Sequence, residues 1–115
     1  MDPLPIDLPT FTDLRDTVGH EFAKELVDTF LEEAPLMLGQ LRAALSAGDV
    51  DSYRRAAHSL KSNCATFGAM AMAGMARDVE LTGYAGDSAT DAAVLDALDA
   101  AYAGVAAQLT ELARD

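Results

Sequence analysis

The stretch Asp49-Val50-Asp51-Ser52-Tyr53-Arg54-Arg55-Ala56-Ala57-His58-Ser59-Leu60-Lys61-Ser62-Asn63-Cys64-Ala65-Thr66-Phe67-Gly68 decides the fold class. Asp49 is placed to cap a helix N-terminus, and Gly68 to end the helix in a left-handed turn. Between them Tyr53, Ala57, Leu60, Cys64 and Phe67 recur in steps of three and four, so the segment reads as one amphipathic helix with a single apolar stripe. On its N-terminal side, Phe22, Leu26, Phe30, Met37, Leu41 and Leu45 keep helical spacing from His20 to Gly48, with a bend or local break expected where Pro35 removes a backbone donor. On its C-terminal side, Met72, Ala76, Val79 and Gly83 mark the inward face of a helix that stops before the turn signals Gly86-Asp87-Ser88. A last helix runs from about Thr90, with Val94, Leu98, Ala101, Val105, Leu109 and Leu112 inward.

Residues 1–9 hold three of the four prolines and read as an extended N-terminal arm. Thr10 or Thr12 then caps a short helix that reaches about Val18, before Gly19. The expected fold is therefore all-α: an antiparallel four-helix bundle with a short additional N-terminal helix, its domain spanning residues 10–115.

Composition agrees. A chain of 115 residues, 50% hydrophobic, can bury one core and has no room for a second domain. Aromatic residues are 6% and Trp is absent, so Ala, Leu and Met favour helix over strand. A net charge of −11 argues against nucleic acid or an anionic membrane as partner, and for a protein. The N-terminus lacks a signal peptide, and the single Cys64 can make no internal disulfide, which together predict a cytoplasmic protein. The apolar run Ala65–Ala76 is too short to span a bilayer, so no transmembrane segment is expected.

The candidate site lies on the outward face of the quoted helix. Each helical residue advances about 100°, so His58 lies roughly opposite Leu60 and faces solvent. Arg54 and Arg55 precede it on that face, and Lys61, Ser62 and Ala65 follow. Acids make up 19 of the 115 residues, yet none occurs between Asp51 and Asp78, which leaves a neutral-to-basic window around His58 suited to a phosphoryl group. The other chemically suggestive residues read blandly. Cys64 sits on the core stripe, Met70, Met72 and Met75 read as core filler, and His20 with His58 makes no metal set.

The run Ala57-His58-Ser59-Leu60-Lys61-Ser62-Asn63-Cys64-Ala65-Thr66-Phe67-Gly68-Ala69 resembles the signature of histidine-containing phosphotransfer (HPt) domains. That signature has a His, an apolar residue two on, Lys three on, Gly or Ser four on and Gly ten on. The resemblance extends to Glu80 near the end of the next helix and to Phe30-Leu31-Glu32-Glu33-Ala34-Pro35 in the preceding one. Its one departure is Ser62, where many members carry Gly. The resemblance implies that His58 accepts a phosphoryl group from a receiver-domain aspartate and passes it to another receiver, with Lys61 stabilising its charge. The receivers would be response regulator domains, including those of a hybrid histidine kinase. They would dock over Ser62, Arg55, Ala65 and Gly68 on a monomeric chain.

Neutral imidazole is the nucleophilic form, and Lys61 one turn away should disfavour its protonation. No cofactor is expected on this chain, and Mg²⁺ belongs on the partner receiver. The alternative reading is an HPt-like adaptor that binds or sequesters a receiver or histidine kinase without being phosphorylated. An autonomous kinase is excluded by the length and by the lack of a Gly-rich phosphate loop.

Overall fold

A computed structural model describes residues 5–82 and 88–114. Among them are five helices: α1 (Leu8–Val18), α2 (His20–Ala47), α3 (Val50–Phe67), α4 (Met70–Thr82) and α5 (Ser88–Ala113). The fold is all-helical, as expected, with four long helices around one core and the short α1 laid against α2 and α3.

Two connections are built alike. Gly48 and Gly68 both sit at left-handed φ (68° and 84°). At each, two backbone N–H groups satisfy carbonyls of the last turn: Asp49 to Ala44 and Gly48 to Leu45, then Ala69 to Cys64 and Gly68 to Ala65. Each reversal is so short that the helices it joins must run antiparallel. The pairing of α2 with α5 is antiparallel too, because Arg42 reaches Asp96 and Asp99 while Leu31 meets Tyr102 further down. Asp49 caps α3 as expected, accepting the Ser52 N–H. The whole predicted stripe Tyr53, Ala57, Leu60, Cys64 and Phe67 is buried.

Four expectations change. Helix α1 starts at Leu8 and is capped by Asp7, which accepts the Thr10 N–H and hydroxyl, so Leu8 and Pro9 are helical and not part of an extended arm. Proline is tolerated there because a first-turn residue has no intrahelical partner for its N–H.

Second, α2 runs unbroken through Pro35. The carbonyl that Pro35 cannot serve is that of Leu31, four residues back, and the Tyr102 hydroxyl of α5 donates to it at 3.3 Å. The break is avoided because a neighbouring helix supplies the missing donor.

Third, Phe22 is half exposed, and the α2 seam is Ala23, Val27, Phe30, Ala34, Met37, Leu41 and Ala44. Steps of four alone drift around the helix, whereas alternating four and three stay on one side.

Fourth, α5 turns Leu95 inward (1% exposed) and leaves Val94 exposed. The remainder of the predicted α5 stripe is buried or half-buried. Residues Thr90–Ala113 of this helix, not Ala65–Ala76, form the chain's long apolar run, with length and mean hydropathy (1.2) sufficient for a membrane span. Leu95, Leu98, Val105 and Leu109 of that run are buried in the bundle core. Gly83, expected to face inward, lies outside the described residues.

Candidate functional site

The site is set by the α3–α4 hairpin. His58 lies ten residues before Gly68, and Glu80 ten residues after Met70. At about 1.5 Å per residue the two arms each cover roughly 15 Å, so the second returns Glu80 to the level of His58. Val79, Ala76 and Met72 are buried and fix the rotation of α4, which leaves Glu80 at the rim of the seam.

There the Glu80 carboxylate serves two bases. Its Oε2 lies 2.6 Å from His58 Nδ1, and its Oε1 accepts from Lys61 Nζ at 2.8 Å. The side chains grade outward, with Glu80 21%, Lys61 30% and His58 59% exposed. Hydrogen bonding from Lys61 holds the Glu80 carboxyl below the usual carboxylate range, with burial opposing and His58 adding to the effect. The stability this contributes is present above the ordinary carboxylate pKa and is lost as pH falls through the depressed one.

An ionised carboxylate only accepts, so His58 Nδ1 carries the proton in this pair. In the neutral ring this bond selects one tautomer, with the proton on Nδ1 and the lone pair on Nε2, on a side chain open to solvent.

His58 and Lys61 are thus brought together, though through a third residue. The window free of acids in sequence is not free of them in space, because α4 inserts Glu80 beside the histidine. Lys61 faces a carboxylate, so the simple repulsion expected between it and the imidazole is offset. The role of Glu80 was not drawn from sequence, although the equal arms on either side of Gly68 carried the signal.

Ser62 and Ala65 are exposed, one and two turns beyond His58 on the same face. Arg55 is exposed one turn before it and lines a groove between α2 and α3 with Gln40, Ala43, Ser52 and Ser59. Gly68 does not belong to this surface. It is buried, its carbonyl accepts the Asp7 N–H at 2.7 Å, and a Cβ there would meet the Asp7 carbonyl at 2.8 Å. Its place is under the N-terminal segment, which corrects the expectation of a docking residue. Burial pushes the Cys64 thiol up to about 12, in keeping with a core residue.

Among the described residues no group of three or more His, Cys, Asp or Glu could hold a metal ion. Comparison with known proteins gives a consistent answer. A family model described as Hpt domain matches residues 25–108. Among solved structures the chain is similar to histidine-containing phosphotransfer protein B from Pseudomonas aeruginosa PAO1. The TM-score is 0.88 and the identity 25%, over 98% of this chain and 97% of that one. No curated protein matches.

Proposed function

Because the chain belongs to the Hpt domain family, the histidine-containing phosphotransfer proteins, we propose that it is a phosphorelay intermediate carrying the phosphoryl group on Nε2 of His58. The observation that carries this reading is the Nδ1 hydrogen bond to Glu80, which leaves Nε2 as the nucleophilic atom on an exposed face. Nε2 attacks the phosphorus of a receiver's aspartyl phosphate, the P–O bond breaks, and the aspartate carboxylate leaves with the electron pair. Onward transfer is the reverse step toward a second receiver.

Such transfer passes through a loose transition state that needs in-line placement and charge stabilisation more than covalent help. Lys61 supplies the nearby cation, Ser62 and Ala65 keep the approach low, and Arg55 borders the docking face. Mg²⁺ belongs to the receiver's half of the site. In this reading the chain acts as a cytoplasmic monomer, binds no ATP and has no kinase activity of its own.

The test is to mix the chain with each phosphorylated receiver domain of the same organism in turn. Phosphate exchange within seconds with at least one receiver is expected. A receiver that binds tightly while none exchanges would favour the adaptor reading instead.

A further inference from the structure

The run Phe30-Leu31-Glu32-Glu33-Ala34-Pro35 turns Phe30 and Ala34 into the core, and just beyond it α2 carries Leu36, a large apolar side chain that is 66% exposed. Beside Leu36, α2 and α3 form an open pocket of about 380 Å³ lined by Glu33, Leu36, Met37, Gln40, Ser59 and Asn63. The pocket adjoins His58 on the flank away from Glu80, because Ser59 follows the histidine on α3 and faces α2. Its polar lining is weighted toward acceptors. The Ser59 carbonyl can only accept, so it takes the Asn63 amide nitrogen at 2.9 Å, and the same nitrogen lies 3.8 Å from Met37 Sδ. Both amide protons are then engaged, and Oδ1 is left to accept. Glu33 is an exposed carboxylate that enters none of the ion pairs among the described residues. A carboxylate and an amide oxygen beside the apolar wall of Leu36 and Met37 suit a long cationic side chain, whose stem lies on the wall while its head donates to the oxygens.

We propose that this pocket is a recognition subsite that takes an arginine or lysine side chain from the receiver docked over His58. The inference rests on the phosphorelay reading above and adds how the chain selects among receivers. His58 and Lys61 serve a chemistry that every receiver shares, so discrimination falls to contacts beside them. Gln40 and Ser59 also line the groove that Arg55 borders, which makes the two hollows one trough along α2 and α3. Its charge changes sign along its length, from Arg55 toward the start of α3 to Glu33 beyond Ser59. A partner with its charges in the reverse order fits in one direction only, and that direction fixes how its aspartyl phosphate meets His58. The pocket also rejects. A receiver that places an acid against Glu33 meets like charge on a chain that already carries −11.

Glu33→Lys reverses the charge of the pocket, and Glu32→Lys makes the same change of net charge one residue outside its lining. Both positions are exposed, so both variants should melt as wild type does. Each is titrated with the receiver that exchanges fastest with wild type, and phosphate exchange is followed at low and at saturating receiver. The expected result is a Kd and KM about tenfold higher in Glu33→Lys with the saturated rate unchanged, the loss of one charge-assisted contact. Glu32→Lys should shift Kd by no more than about twofold, as an exposed charge outside the contact does. Changing the arginines and lysines of the receiver's docking surface to Glu one at a time should then yield one variant that restores binding to Glu33→Lys. An unchanged Kd in Glu33→Lys, an equal loss in both variants, or restoration by no receiver variant overturns this inference, and continued exchange by wild type leaves the phosphorelay reading standing. Exchange by wild type with no receiver overturns both.

Discussion

Two clusters of charge on this bundle are built to the same plan and do different things. At one, the Arg42 guanidinium of α2 bridges Asp96 and Asp99 of α5 at 2.7 and 2.6 Å. At the other, the Glu80 carboxylate of α4 bridges His58 and Lys61 of α3 at 2.6 and 2.8 Å. Both tie neighbouring helices through one group shared by two of opposite sign. In the first, the hydrogen bonds that Arg42 donates to Asp99 and Asp96 raise its already high pKa, so the guanidinium keeps its proton near neutral pH. In the second, one member is an exposed imidazole that meets the carboxylate through Nδ1, so Nε2 is not the atom engaged. The same geometry is a clamp in one place and, in the function proposed above, holds a nucleophile in the other, and the difference is a single ring nitrogen.

This contrast can be broken by substitution. The largest effect is expected at Ser62, which is exposed on the His58 face where a receiver must come close. Ser62→Phe should hold the receiver off by an ångström or more and slow exchange by on the order of a hundredfold. Circular dichroism and melting should stay within a few degrees of wild type, and Ser62→Gly should transfer at least as well as wild type. Normal transfer by Ser62→Phe would show that the receiver approaches elsewhere.

Lys61→Ala removes a transition-state cation and one arm of the Glu80 bridge. A cost of about 1–3 kcal/mol in the barrier, or roughly 5- to 150-fold in rate, is expected with the fold intact. A large fall in melting temperature with unchanged transfer would make this cluster a second clamp.

Arg42→Ala should do the opposite, leaving transfer untouched and lowering stability by about 1 kcal/mol, as partly exposed ion pairs do. That loss should shrink as salt is added. Smallest of all, Tyr102→Phe leaves the Leu31 carbonyl without its donor and should cost about 0.5–1 kcal/mol, again with no effect on transfer.

The parts of the molecule that were legible in sequence are those where a stripe is wide and capped. Helix α3 was readable from Asp49 to Gly68 because apolar and polar residues fall largely on two opposite faces. Helix α5 was less readable, since its exposed side is largely alanine and a shift of one residue, Leu95 for Val94, changes little in the pattern. Pro9 and Pro35 misled in the same way. A proline's effect depends on whether its missing N–H had a partner to lose, and for Pro35 the answer lay 67 residues away at Tyr102.

His58, Lys61 and Ser62 were placed correctly on an outward face from their helical spacing. Gly68 was not, because a glycine at a helix end reads the same whether solvent or another segment covers it. Glu80 was named only as part of the resemblance, and its place beside His58 was the real gap. An acid distant in sequence counts as outside the window, and only the equal lengths of the two helix arms bring it beside the histidine.

The central claim is that His58 alone carries the phosphoryl group. Incubating the chain with a phosphorylated receiver and mapping the label tests it directly. The account predicts one acid-labile, alkali-stable phosphoryl group that is absent in His58→Gln, with the variant melting as wild type does because the side chain is exposed. A label that survives in His58→Gln, or that maps to His20, would contradict it.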